Sequence, residues 1–126
     1  MTLHFIGRVE ASQVTDLTSR AAAPFQPFEL VLNKPALWPQ GLAVLCPDEL
    51  PKQLWSLFDR LGQVLRGLNL TVETRPYRPH LTLARRAQGA MAPSTTAPVT
   101  WLVHSYVLAA STPDGDTLYQ IHRTYA

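Results

Sequence analysis

Residues 50–85 read LPKQLWSLFDRLGQVLRGLNLTVETRPYRPHLTLAR, and the change of period inside this stretch decides the fold. Leu50, Leu54, Leu57, Phe58, Leu61, Val64, Leu65 and Leu68 form one continuous apolar stripe at helical spacing. Such a stripe packs against a core. Asp48 is placed to cap this helix, Pro51 suits its first turn, and Gly67 lies at its frayed end. Beyond Pro79 the period falls to two. His80-Leu81-Thr82-Leu83-Ala84 alternates as a strand does, which puts His80 and Thr82 on one face.

Working outward, Leu42–Cys46 (LAVLC) and Phe28–Leu32 (FELVL) read as strands, joined by a loop with Pro35, Pro39 and Gly41. Val14, Leu17 and Ala21 mark a shorter amphipathic helix from about Ala11 to Ala22, which Pro24 closes. Thr2–Ile6 reads as an opening strand with Gly7 as its turn. On the other side, residues 86–98 are a small-residue loop and Trp101–Ala109 alternates as a strand. A turn at Pro113–Asp116 and a strand Leu118–Tyr125 then close a hairpin. Helices separated by antiparallel strand pairs predict an α+β fold, and 126 residues make one domain.

Apolar residues make up 46% of the chain and charged residues 16%, which excludes intrinsic disorder. A single cysteine, Cys46, excludes an intrachain disulfide and a cysteine-rich zinc site. No apolar run approaches the roughly 20 residues needed to cross a bilayer. The opening MTLHFIGRVE lacks the basic and apolar regions of a secretory signal, so a soluble cytoplasmic protein is expected. The net charge is only +2, but Arg75, Arg78, Arg85 and Arg86 cluster within twelve positions that contain no acid. That run suits an anionic ligand.

The sequence has no glycine-rich phosphate loop, HExxH, CxxC or GxSxG. Cys46, inside an apolar strand, behaves as a small hydrophobe rather than a nucleophile. The remaining chemistry lies in Arg78–Arg85 (RPHLTLAR). An imidazole and a hydroxyl on one strand face, with Arg85 near the strand's end, can serve proton transfer and phosphoryl-oxygen binding together. His104 and His122 stand on the closing strands without a motif. Tyr77 and Trp38 carry rings able to stack on a base, although core or loop anchoring is the commoner role.

Thr2-Leu3-His4-Phe5-Ile6-Gly7 and Arg78-Pro79-His80-Leu81-Thr82-Leu83-Ala84-Arg85 together resemble the two-histidine phosphoesterases, specifically the LigT-like 2′-5′ RNA ligases and RNA 2′,3′-cyclic phosphodiesterases. That family carries His-x-Thr-hydrophobic twice. The first copy runs into an x-Phe-Leu-Gly pattern, which His4-Phe5-Ile6-Gly7 matches. The second follows Arg-Pro and precedes an arginine. The likeness extends through Pro27-Phe28-Glu29-Leu30 to Tyr106-Val107-Leu108 and Leu118-Tyr119-Gln120-Ile121.

The resemblance implies a bilobal arrangement of antiparallel sheets with two helices packed outside. The strands near His80, Trp101 and Leu118, with the long helix, would form the more complete lobe. It also implies hydrolysis of 2′,3′-cyclic phosphate RNA ends, or of small cyclic nucleotides, to 2′-phosphates by general acid–base catalysis, without metal or nucleotide cofactor. His80 and Thr82 take the catalytic positions, while Thr2, Thr82 and Arg85 take the phosphate. His4, Arg78 and Tyr77 border the substrate. If Thr2 is the first motif's threonine, the first histidine falls immediately before Met1. The first lobe is then expected to lack its opening strand and helix. It would leave an uncovered surface around Thr2–Ile6 and Phe28–Leu32 through which two copies associate. A non-catalytic module that recognises RNA ends or nucleotides is the alternative expectation.

Overall fold

The computed structural model describes residues 1–112 and 119–126. Helix α1 (Ala11–Arg20) is followed by β1 (Phe28–Trp38), a 3₁₀ turn at Pro39–Gly41, and β2 (Leu42–Pro47). Helix α2 (Lys52–Gly67), β3 (Leu81–Ala84), β4 (Val99–Val103), β5 (Tyr106–Ser111) and β6 (Tyr119–Tyr125) complete the order. The α+β class is as expected. One antiparallel sheet runs β3-β2-β1-β4, and β5 and β6 pair as a second.

The leucine stripe explains why both sheets belong to one body. Leu54 is buried with Phe28, Leu30, Leu32, Leu45 and Val103 on one face of the four-stranded sheet. Leu57, Leu61 and Leu65, farther along the same helix, are buried with Leu17 and Ala21 of α1 and with Tyr106 and Tyr125 of the second sheet. The Tyr106 and Tyr125 rings stack at 4.8 Å. Their hydroxyls donate to the carbonyls of Ala21 (2.9 Å) and Thr18 (2.7 Å), satisfying acceptors that the end of α1 leaves free.

Several expectations are corrected. β1 continues through Pro35 to Trp38 because its two halves have different neighbours. Phe28–Leu32 pairs with β4, and Leu32–Trp38 with β2. Pro35 lies where β4 no longer pairs, so its missing N–H breaks no ladder on that side. The register shift between Leu32 and Lys34 sits where the neighbours change. Asp48 does not cap α2. It pairs with Lys34, and Pro51 occupies the N-cap without a side-chain bond.

Trp101–Ala109 is not one strand. The chain leaves the first sheet after Val103 and enters the second at Tyr106, so β3 and β4 form opposite edges of one sheet while β5 and β6 pack with α1. The expected grouping of His80, Trp101 and Leu118 strands in one lobe is therefore wrong. The turn expected at Pro113–Asp116, and Leu118, fall outside the described residues.

Thr2–Ile6 forms no strand. Leu3 packs against both cores and His4 packs on α2, so side-chain burial rather than a hydrogen-bonded ladder holds this segment. Phe28, Leu30 and Leu32, where uncovered surface was expected, are 0–5% exposed. In the opening segment Phe5 is 79% exposed, and further exposed apolar surface lies on the edge strand β4, at Val99, Trp101 and Leu102. No charge interrupts that edge.

Candidate phosphate-binding face

The face of the four-stranded sheet opposite α2 is set by register. Ala36 pairs with Val44, and Val44 with Thr82, making one row across three strands. Two-residue alternation puts Trp38 and Cys46 on the same face, and His80, just before β3, beside them. The Trp38 ring lies 4.5 Å from the His80 ring, and the Arg78 guanidinium sits 4.3 Å from the centre of Trp38. An indole face attracts a cation, so Trp38 holds Arg78 next to the imidazole without neutralising it.

His80 is half-buried, and its Nδ1 lies 2.8 Å from the Arg78 carbonyl oxygen. A carbonyl only accepts, so Nδ1 carries the hydrogen and Nε2 is the proton-exchanging nitrogen of the neutral ring. Thr82 is half-buried, and its hydroxyl has no protein hydrogen bond among the described residues. The face thus brings together a proton carrier, a hydroxyl donor and a guanidinium without a carboxylate partner among the described residues.

The basic run does not act as one patch. Arg75 binds Glu73 at 2.7 Å, and this hydrogen bond pulls the Glu73 carboxyl down to about 2. Arg85 is exposed one residue beyond β3, and Arg86 takes a left-handed φ of 58°. Cys46 lies near Lys34 and Arg78, yet burial raises its thiol, the reverse of what activates a nucleophile.

Other expected residues stand elsewhere. Thr2 is exposed on the irregular opening segment. His4 and Tyr77 pack on α2, away from Thr82, and His104 and His122 are exposed. Trp38, expected to anchor the core or a loop, lines this face. Its alternation with Ala36 was the available signal for the face, but Pro35 concealed the continuing strand. Among the described residues no group of three or more His, Cys, Asp or Glu could hold a metal ion, and no helix is long and apolar enough to cross a membrane.

The segment after Arg85 is tied back to the β1–β2 turn. The Ala87 amide donates to the Gly41 carbonyl at 2.8 Å, and the Gln88 side chain donates to the Gln40 carbonyl at 3.2 Å. Gly41 has a φ of 71°, and a Cβ there would stand 2.6 Å from the Gln88 side chain and 2.8 Å from the Ala87 nitrogen. Gly41→Ala should therefore cost about 1–3 kcal/mol, as non-glycine residues forced into that region do. Urea denaturation checks the loss, and faster exchange of the Ala87 amide would locate it.

A family model of the 2′-5′ RNA ligase superfamily matches residues 1–115. A crystal structure described as a phosphoesterase aligns over 98% of this chain and 74% of its own, at 26% identity and a TM-score of 0.87. LigT of E. coli, complexed with 3′-AMP, aligns over the same shares at 25% identity and a TM-score of 0.87. A Thermus thermophilus protein shares the fold, with 24% identity, 98% and 75% coverage, and a TM-score of 0.70. No curated protein matches the chain.

Proposed function

The chain belongs to the 2′-5′ RNA ligase superfamily, and from that premise we propose that its Trp38–Arg78–His80–Thr82 face binds the terminal phosphate of RNA and serves the opening of 2′,3′-cyclic phosphates. In this reaction water adds to phosphorus and the bond to the 3′ oxygen breaks, leaving a 2′-phosphate and a 3′-hydroxyl. One imidazole accepts the water proton while a second gives a proton to the departing oxygen. His80 is one of these carriers through Nε2. Arg78 and Thr82 stabilise the non-bridging oxygens, with Arg85 arriving from beyond the strand, and the chemistry needs no metal or nucleotide cofactor. The cytoplasm is the compartment proposed for it.

One observation carries this reading. The Arg78 carbonyl fixes the His80 tautomer while the Arg78 guanidinium, which has no acid partner among the described residues, lies on the adjacent indole. The structure of E. coli LigT with 3′-AMP supports a nucleotide as ligand. Titration of the chain with 3′-AMP tests it. Arg78→Ala should weaken binding by roughly 10- to 100-fold, the usual loss for a charge-assisted hydrogen bond. Unchanged affinity in Arg78→Ala would remove Arg78 from the site.

A second reading rests on His4. Its ring is stacked on Phe58 and bonded to the Phe58 carbonyl, so it supplies no second proton carrier at His80. A face served by His80 alone would bind phosphate ends more effectively than it turns them over.

A further inference from the structure

We propose that Phe58 of α2 is a positioning residue, holding the opening segment that bears Thr2 and the segment that bears His80 on its two ring faces. The His4 ring lies 4.1 Å from Phe58 with a 13° angle between planes, and the Tyr77 ring lies 4.0 Å away, also at 13°. Two rings stacked that closely on a third cannot share one face, so Phe58 is sandwiched. Trp55, one helical turn before, meets Phe58 and Tyr77 edge-on at 6.1 and 5.8 Å. The His4 Nε2–H donates to the Phe58 carbonyl at 2.8 Å, which fixes the imidazole to the helix backbone as well as to the ring.

Each outer ring is a short, stiff lever. Tyr77 precedes Arg78, whose carbonyl orients His80 Nδ1, and the intervening Pro79 is buried and has a restricted φ. Displacing Tyr77 therefore displaces the acceptor that holds the imidazole. The Tyr77 hydroxyl is buried without a protein partner among the described residues, so stacking rather than hydrogen bonding holds that ring. On the opposite face, His4 lies two residues from Thr2, which matches the threonine of the first motif. Among the described residues the ring partners of Phe58 are His4, Trp55 and Tyr77, so it acts through its neighbours.

The proposal rests on the phosphate-binding reading for its consequence in affinity, but its geometry can be tested separately. The experiment uses the whole 126-residue chain. Phe58→Leu keeps an apolar side chain and removes the sandwich, whereas Phe58→Tyr keeps the ring. Tyr77→Leu and Tyr77→Phe make the same comparison from outside the helix. Ring resonances of His4 and His80, affinity for 3′-AMP, and cooperative unfolding are read on each.

In the two leucine variants, the His80 resonances should move although His80 stands on the opposite face of the sheet. Their 3′-AMP affinity should fall about tenfold, within the range that packed side-chain networks transmit. Both aromatic variants should restore affinity and resonances. A folded Phe58→Leu or Tyr77→Leu chain with wild-type His80 resonances overturns the proposal, as does failure of the aromatic variants to rescue. If the wild-type chain does not bind 3′-AMP, the functional reading fails, and the His80 resonances alone decide the positioning role.

Discussion

A chain extended upstream by a segment that positions a histidine, directly preceding Met1, against His80 should hydrolyse 2′,3′-cyclic AMP at least about 100-fold faster than the 126-residue chain, and His80→Ala should abolish the gain. The reason is the division of labour at phosphorus. Opening the ring requires a proton to leave the attacking water and another to reach the 3′ oxygen. His80 Nε2 can perform one of these transfers, since Nδ1 is engaged by the Arg78 carbonyl. A histidine before Met1 would stand two residues ahead of Thr2, completing the His-x-Thr spacing already present at His80 and Thr82.

A positioned general acid or base contributes about 10²- to 10⁴-fold, so the effect belongs in kcat. Binding should change much less, because Arg78 and Thr82 are present in both chains. The two-carrier mechanism also requires a bell-shaped dependence of kcat on pH in the extended chain, with one limb lost in its His80→Ala variant. Equal rates for the extended and unextended chains would sink the mechanism, whatever the affinities.

The part of this site that was legible in the sequence is the part governed by local period. Alternation through His80 and Thr82 put an imidazole and a hydroxyl on one face, and β3 keeps them there. The leucine stripe gave α2 nearly to its ends, because about five turns of alternation between apolar and polar faces are not produced by any strand. What local period does not contain is the identity of a strand's neighbours. Val103 and Tyr106 are both buried inward residues, and nothing in their spacing says that they serve different cores. Trp38 meets His80 only because β2 lies between β1 and β3, a long-range fact. Thr2–Ile6 has strand composition, yet composition cannot supply a pairing partner, and a lone strand is not stable. His4 accordingly faces α2.

Leu54→Ala should lower stability by about 2–5 kcal/mol, the range for a buried leucine whose cavity collapses only partly. Leu54 is 1% exposed and is the α2 residue buried in the core of the four-stranded sheet, among Phe28, Leu30, Leu32, Leu45 and Val103. Against a typical total of about 5–15 kcal/mol, that loss is a large fraction of the fold's margin. Leu83→Ala is the control. Leu83 is 60% exposed on β3, so its truncation should stay within about 0.5 kcal/mol.

The shape of the transition tests the role of α2 further. Leu61→Ala weakens the other core, two helical turns away, and its cost should add to that of Leu54→Ala within about 0.5 kcal/mol. Both variants should nevertheless unfold in a single step, followed equally by exchange of the Leu30 amide in the first sheet and of the Tyr106 amide in the second. One helix supplies leucines to both cores, so neither sheet keeps its cover once α2 is lost. Separate transitions for the two probes in Leu54→Ala would show that the second sheet and α1 hold α2 without the first. The coupling between the two cores would then have to come from somewhere other than this helix.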